Sequence, residues 1–184
     1  MNTLGKLFLY IGVATLSIYL GLLIQENKIS NENKAIAKNN PKINDGANLI
    51  LAADLPDLKG KNQPISQWKG KILIVNFWAT WCEPCRIEMP EFIKLQEELR
   101  DKELLIIGIA IDQKNKVQQY SKDIGINYPV LIGGMEAMEL SEAAGNNHAV
   151  LPYTVIFNRS GEIVSTHVGL ITRDKIEPVL KSLL

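Results

Sequence analysis

Apolar positions along the chain alternate between runs and helical spacings. Residues 71–79, KILIVNFWA, are almost continuously apolar and β-branched, the pattern of a strand buried on both faces of a sheet. Residues 104–112, LLIIGIAID, repeat it. Between them EFIKLQEELR (91–100) shows a helical period, with Pro84 at a first-turn position where a missing N–H costs nothing and Pro90 predicting a kink. Downstream, KNKVQQYSKDIG reads as a helix, YPVLIG as a short strand and MEAMELSEAAG as another helix. Strands alternating with helices imply crossovers and a parallel core. YTVIFNRSGEIVSTHVG then changes the rhythm, because two β-rich runs around NRSG predict a hairpin. TRDKIEPVLKSLL closes the chain as an amphipathic helix, and DLPDLKGKNQPISQWKG (54–70) predicts a small upstream hairpin with Gly60 and Gly70 as turn residues.

The N-terminus has neither rhythm. Residues 7–24, LFLYIGVATLSIYLGLLI, carry no charge and would span about 27 Å as a helix, just enough to cross a bilayer. No small-residue cleavage pattern follows closely, so residues 1–24 are expected to be an uncleaved signal anchor, a single transmembrane helix. Residues 25–47, rich in Asn and Lys and without apolar period, are expected to be a flexible linker, leaving 48–184 as the folded domain. Lys28, Lys34 and Lys38 follow the anchor while only Lys6 precedes it, a bias against an outward-facing domain. Charge otherwise excludes more than it suggests. Lys plus Arg and Asp plus Glu number 20 each, so there is no basic field for a phosphate backbone and no nucleic-acid partner is expected.

The chain has only two cysteines, both within TWCEPCRIE (80–88), where a buried strand gives way to a helix. At a helix start Cys82 and Cys85 share one face and can close a small disulfide. A thiolate at Cys82 would meet unpaired N–H groups and the positive end of the helix dipole, which lowers its pKa and makes it the nucleophile. Cys85, one turn deeper, would resolve the mixed disulfide. Zinc would need four ligands, and His148 and His167 lack the paired spacing of a finger, so no metal is expected. Two incidental buried cysteines and a thiol peroxidase are the competing readings; a peroxidase would want a threonine–cysteine spacing other than Thr80-Trp81-Cys82. His148 and His167 read as ordinary surface or loop residues, Phe77 and Trp78 as core.

VNFWATWCEPCRIEMP, followed some seventy residues later by LPYTVIFNRSGEIV, resembles the membrane-anchored TlpA/ResA/DsbE-like branch of the thioredoxin superfamily. The resemblance covers about residues 48–184. It implies an α/β thioredoxin-like fold, a central mixed sheet flanked by helices with an N-terminal hairpin and a βα insertion, tethered at the cytoplasmic (inner) membrane by a single pass with the domain on the extracytoplasmic, periplasmic side. It implies a protein disulfide reductase, often serving cytochrome c maturation, with oxidised proteins as substrates and a transmembrane thiol donor of the DsbD/CcdA type as partner. No cofactor is implied beyond the redox-active Cys82–Cys85 pair. Trp81, Cys82 and Cys85 match the redox motif, and Pro152 matches a cis-proline loop in which the Leu151 backbone lies beside Cys82 and pairs with an extended substrate segment.

Asn76 stands where cytoplasmic thioredoxins carry a buried acid, which leaves the proton acceptor for Cys85 open. Cys82, Cys85 and Glu88 step by three along one helix face, and the resemblance puts an active-site acid at this position, so Glu88 is expected to take that proton; the competing reading is a solvated surface glutamate. Glu83 and Pro84, between the cysteines, are expected to modulate the pair. A carboxylate beside the sulfur disfavours thiolate and so favours disulfide over dithiol, predicting an electron donor. The rival directions are a general disulfide oxidant and, outside enzymes, a redox sensor or metallochaperone.

Overall fold

The computed structural model describes residues 41–184. The expected anchor and residues 25–40 of the expected linker lie outside the described residues. No helix among the described residues is long and apolar enough to cross a membrane.

The chain enters as helix α1 (Pro41–Ala52), which overlaps the tract assigned to the flexible linker. Residues 41–47 of the expected linker are thus helical, which corrects its boundary at 47. The composition of the tract concealed a buried stripe: Ala47 and Ile50 are buried, and a Cβ added to Gly46 would lie 2.2 Å from the Ala143 carbonyl oxygen. Only glycine permits that approach of two backbones. A small antiparallel hairpin follows, β1 (Asp54–Pro56) with β2 (Asn62–Pro64), and Gly60 turns it at φ 86°. Gly70 turns the chain later, after a 3-10 turn (Ile65–Trp68) and just before the main sheet.

That sheet has the order β5-β4-β3-β6-β7, with β3 (Ile72–Trp78) at its centre, β4 (Leu104–Ala110), β5 (Val130–Ile132), β6 (Tyr153–Phe157) and β7 (Ile163–Val168). β3, β4 and β5 run parallel; β6 is antiparallel to β3 and β7 to β6. Every residue of β3 is buried, as its unbroken apolar run requires of a strand covered on both faces. Ile72, Ile74 and Trp78 pack into the layer formed by α2 (Glu83–Leu99), α3 (Lys114–Asp123) and α5 (Arg173–Lys181). Leu73, Val75 and Phe77 pack into the opposite layer with α1, the hairpin and α4 (Gly134–Ala143). The result is a mixed sheet between helical layers with an added hairpin and a β5–α4 insertion, the thioredoxin-like arrangement the resemblance implies. Pro90 removes one hydrogen bond from the α2 ladder, yet the helix continues through it to Leu99.

The topology places chemistry at one end of the sheet. Parallel strands β3 and β4 both end beside the start of α2, and the β6 entrance arrives there from the antiparallel side. The β3–α2 turn is thus held between two other strand ends, which is where open α/β sheets present their sites.

Candidate active site

Cys82 is the N-cap of α2: its backbone is extended, and its Sγ accepts a hydrogen bond from the Cys85 N–H at 3.3 Å. The two sulfurs form a disulfide. Cys82 retains 5% of its surface and Cys85 none, so the expected inequality between an outer and an inner sulfur is small in the closed form but has the expected sign. Glu83 and Pro84 occupy the first two helical positions and are exposed, as Pro at the second position of a helix can be without losing a bond. Trp81 projects from the turn with 67% of its surface exposed, the largest apolar group beside Cys82 in sequence.

Glu88 is buried, with 2% of its surface exposed, which excludes the reading of a solvated helix glutamate. Its Oε1 accepts from Asn76 Nδ2 at 2.7 Å, and its Oε2 accepts from the Ile171 N–H at 3.0 Å. Asn76 Nδ2 also donates to Thr154 Oγ1 at 3.1 Å. Burial pushes the Glu88 carboxyl up to about 7; the Ile171 and Asn76 donors favour the charged form but do not offset the loss of water. A carboxyl one helical turn past Cys85, poised near neutrality, is suited to exchanging protons rather than holding a fixed charge.

The Leu151–Pro152 peptide bond is cis. Pro152 is buried and its carbonyl accepts from the Gly169 N–H at 2.8 Å, which joins this loop to the segment before α5. Leu151 is half-buried against the core, and no described residue hydrogen-bonds its N–H or carbonyl. The expected site residues thus fall on two strand-end segments, the β3–α2 turn and the β6 entrance, and on α2 itself. His148 is exposed; His167, on β7, sits with Nε2 3.0 Å from the Leu170 carbonyl oxygen. Phe77 and Trp78 are fully buried in the core.

Sequence reasoning missed three further contributors. Asp112 follows β4 and accepts from the Thr80 N–H at 3.1 Å, from the Thr80 hydroxyl and from the Gln113 N–H at 2.7 Å, so it braces the turn two residues before Cys82. Thr154, directly opposite Asn76 in the β3–β6 register, had no signal beyond being a polar residue in an apolar strand. Ile171 contributes a main-chain N–H, to which side-chain identity gives no clue.

Comparison with known proteins agrees with this geometry. Residues 48–166 match the AhpC/TSA family. The chain is 34% identical over 130 residues to the thioredoxin-like protein YneN of Bacillus subtilis, covering 68% of this chain and 73% of that protein. It is 29% identical over 170 residues to the thiol-disulfide oxidoreductase ResA of Halalkalibacterium halodurans, covering 92% and 89%. Among solved structures, a thiol:disulfide interchange protein of the thioredoxin family from Chlorobium tepidum superposes with a TM-score of 0.64 at 28% identity, over 71% of this chain and 92% of that one.

Proposed function

The chain belongs to the AhpC/TSA family and is a thiol-disulfide oxidoreductase of the thioredoxin superfamily, and from that premise we propose that it works as a reductase of protein disulfides outside the cytoplasmic membrane. The observation that carries this reading is the closed Cys82–Cys85 disulfide with a buried, proton-poised Glu88 one turn further along the same helix.

In the reduced protein the Cys82 thiolate, stabilised by the α2 N-terminus and the Cys85 N–H, attacks one sulfur of a substrate disulfide. That bond breaks, one substrate sulfur leaves as thiolate, and a mixed disulfide with Cys82 forms. Cys85 gives its proton to Glu88 and attacks Cys82 Sγ. The second substrate sulfur leaves with the electron pair, the Cys82–Cys85 bond closes, and the protein has lost the two electrons the substrate gained. Trp81, Leu151 and Pro152 form the proposed docking surface: an exposed indole beside Cys82, and at Leu151 main-chain groups free to pair with an extended segment. Glu83 at the helix start and the charged form of Glu88 put negative charge near the sulfurs, which favours disulfide over dithiol and so makes the reduced protein a donor.

Electrons come, in this reading, from a transmembrane thiol donor of the DsbD/CcdA type, and the substrates are oxidised proteins such as an apocytochrome awaiting haem. A domain anchored by residues 1–24 on the extracytoplasmic side would meet both, and a chain whose only cysteines are the active pair suits a compartment where disulfides must be managed.

Two measurements test this. Cys85→Ser should accumulate mixed disulfides through Cys82, whereas Cys82→Ser should accumulate almost none; equal trapping overturns the assigned roles. Equilibration with glutathione should place the pair near or below about −220 mV at pH 7, and a value near about −120 mV would make it an oxidant instead. Location is checked separately with a C-terminal tag: protease added to intact spheroplasts should remove it, and a protected tag refutes the extracytoplasmic assignment.

A further inference from the structure

Glu88 hangs from two donors of different kinds. The Ile171 N–H can only donate. The Asn76 amide donates through one arm and accepts through the other. In the structure Nδ2 uses both hydrogens, one on Glu88 Oε1 and one on Thr154 Oγ1, while Oδ1 is buried without a partner among the described residues. Leaving a buried acceptor unpaired is costly, and a site that keeps one calls for an explanation. A site built only to hold a carboxylate would be better served by a cation, yet Arg173, which lines the groove beside Glu88, spends its guanidinium on Glu98 and Glu177.

We propose that Asn76 and Thr154 form a reversible positioning pair for Glu88: the amide donates to the carboxylate through Nδ2 and, turned over about its Cβ–Cγ bond, accepts the carboxylic acid's O–H through Oδ1. This rests on the reading of Glu88 as proton acceptor and adds how the acid is held in both of its states. The count of hydrogen bonds supports it. With Glu88 charged, Nδ2 donates to Glu88 and to Thr154. With Glu88 protonated and the amide turned, Oδ1 accepts from the Glu88 hydroxyl and from the Thr154 hydroxyl, which can donate as readily as it accepts. Either state keeps two hydrogen bonds from the amide to its pair of partners, and the idle end is Oδ1 in one state and the Nδ2 group in the other. The proton from Cys85 therefore arrives at Glu88, and leaves it, with an amide group of matching polarity facing the acid in each state. A lysine or aspartate at position 76 would favour one state alone.

The proposal also accounts for where these residues lie. Gly108, Asn76, Thr154 and His167 form one row across β4, β3, β6 and β7, so Thr154 is held opposite Asn76 by sheet register rather than by a flexible loop. Other titratable groups around Glu88 are Cys82 and Cys85 on its own helix, buried Tyr128 from the segment before β5, His167 at the end of the row, and Glu91, Arg173 and Asp174 around the adjoining groove.

The experiment uses the disulfide form of the protein, in which neither sulfur titrates. The Glu88 side-chain carboxyl carbon and the Asn76 side-chain amide are followed by NMR between about pH 5 and pH 9, a range that brackets the ionisation. The Asn76 amide resonances are expected to move with the same midpoint as Glu88, and their contact with the Thr154 side chain to be lost on the acid side. If Glu88 titrates while the Asn76 amide keeps that contact throughout, the reversible pair is overturned and Glu88 as proton acceptor survives. If Glu88 does not titrate in this range, both readings fall. Glu88→Gln supplies a second test, since its one acceptor is claimed by the Ile171 N–H and its amide must present a donor to Asn76. In that variant Asn76 is expected in the acid-side arrangement at every pH; finding it in the alkaline arrangement overturns the proposal.

Discussion

Glu88 and Asp112 are both carboxylates on segments that flank the disulfide turn, and their proton affinities move in opposite directions. Burial raises both. Glu88, almost wholly removed from water and met by two donors, is pushed up to about 7. Asp112 is only half-buried; the Thr80 hydroxyl, the Gln113 and Thr80 N–H groups and the charge of Lys116 together outweigh its burial and hold it below the ordinary aspartate range. Two donors against almost complete desolvation leave a group that exchanges protons, whereas three against partial desolvation leave a fixed anion. In the proposed mechanism chemistry and structure are thereby divided: Glu88 would take the proton of Cys85, while Asp112 pins Thr80, two residues before Cys82.

The largest effect expected on breaking this contrast is on stability at Glu88. The folded, oxidised protein holds the Glu88 proton up to about pH 7, while the unfolded chain releases it near the ordinary value of 4.5. Between these values the folded state binds more protons, so stability falls as pH rises from 4.5 to about 7 and stays lowered above. The whole cost is about 3 kcal/mol by the free energy of a pKa difference. Glu88→Gln is therefore expected to flatten this decline and to gain up to about that amount at pH 8, measured by denaturant unfolding across pH, while slowing disulfide exchange. Unchanged pH dependence of stability would show that Glu88 is not the strained group.

A smaller effect of opposite sign is expected at Asp112. Its folded pKa is depressed, so its contribution is present above the ordinary value of 3.8 and is lost as pH falls through the lower folded value. Asp112→Asn puts an amide donor against a main-chain N–H and should cost about 1 kcal/mol at neutral pH, a figure kept low because the group is partly solvated and screened. The cost should vanish in strong acid. A loss as large at pH 3 as at pH 7 would mean that Asp112 acts through packing rather than charge.

Much of the architecture was legible because its determinants are local. β3 and β4 announce themselves by unbroken apolar runs that only a doubly covered strand explains, and α2 by its period and the proline near its start. Where local signals were mixed, the reading failed. The Asn- and Lys-rich composition around residue 41 hid α1, whose buried stripe of Gly46, Ala47 and Ile50 makes sense only with α4 packed against it. Gly70 turns the chain after the 3-10 segment and not within the hairpin, since a glycine signals a turn but not which elements it joins.

The same division runs through the site. Spacing in the chain determined that Cys82, Cys85 and Glu88 share one face of one helix, because 3.6 residues per turn is a property of the backbone alone. It also placed Cys82 at the start of that helix, where its sulfur would meet unpaired N–H groups. What only the tertiary structure decided is the surroundings of Glu88: an exposed surface carboxylate and a buried, hydrogen-bonded one read identically as a letter, and the difference lies in partners 12 and 83 residues away, Asn76 and the Ile171 N–H. Burial and hydrogen bonding are set by whatever folds against a residue, and a main-chain donor carries no side-chain identity, so the environment that raises the proton affinity of Glu88 exists only once sheet register and the packing around Ile171 have brought those segments together.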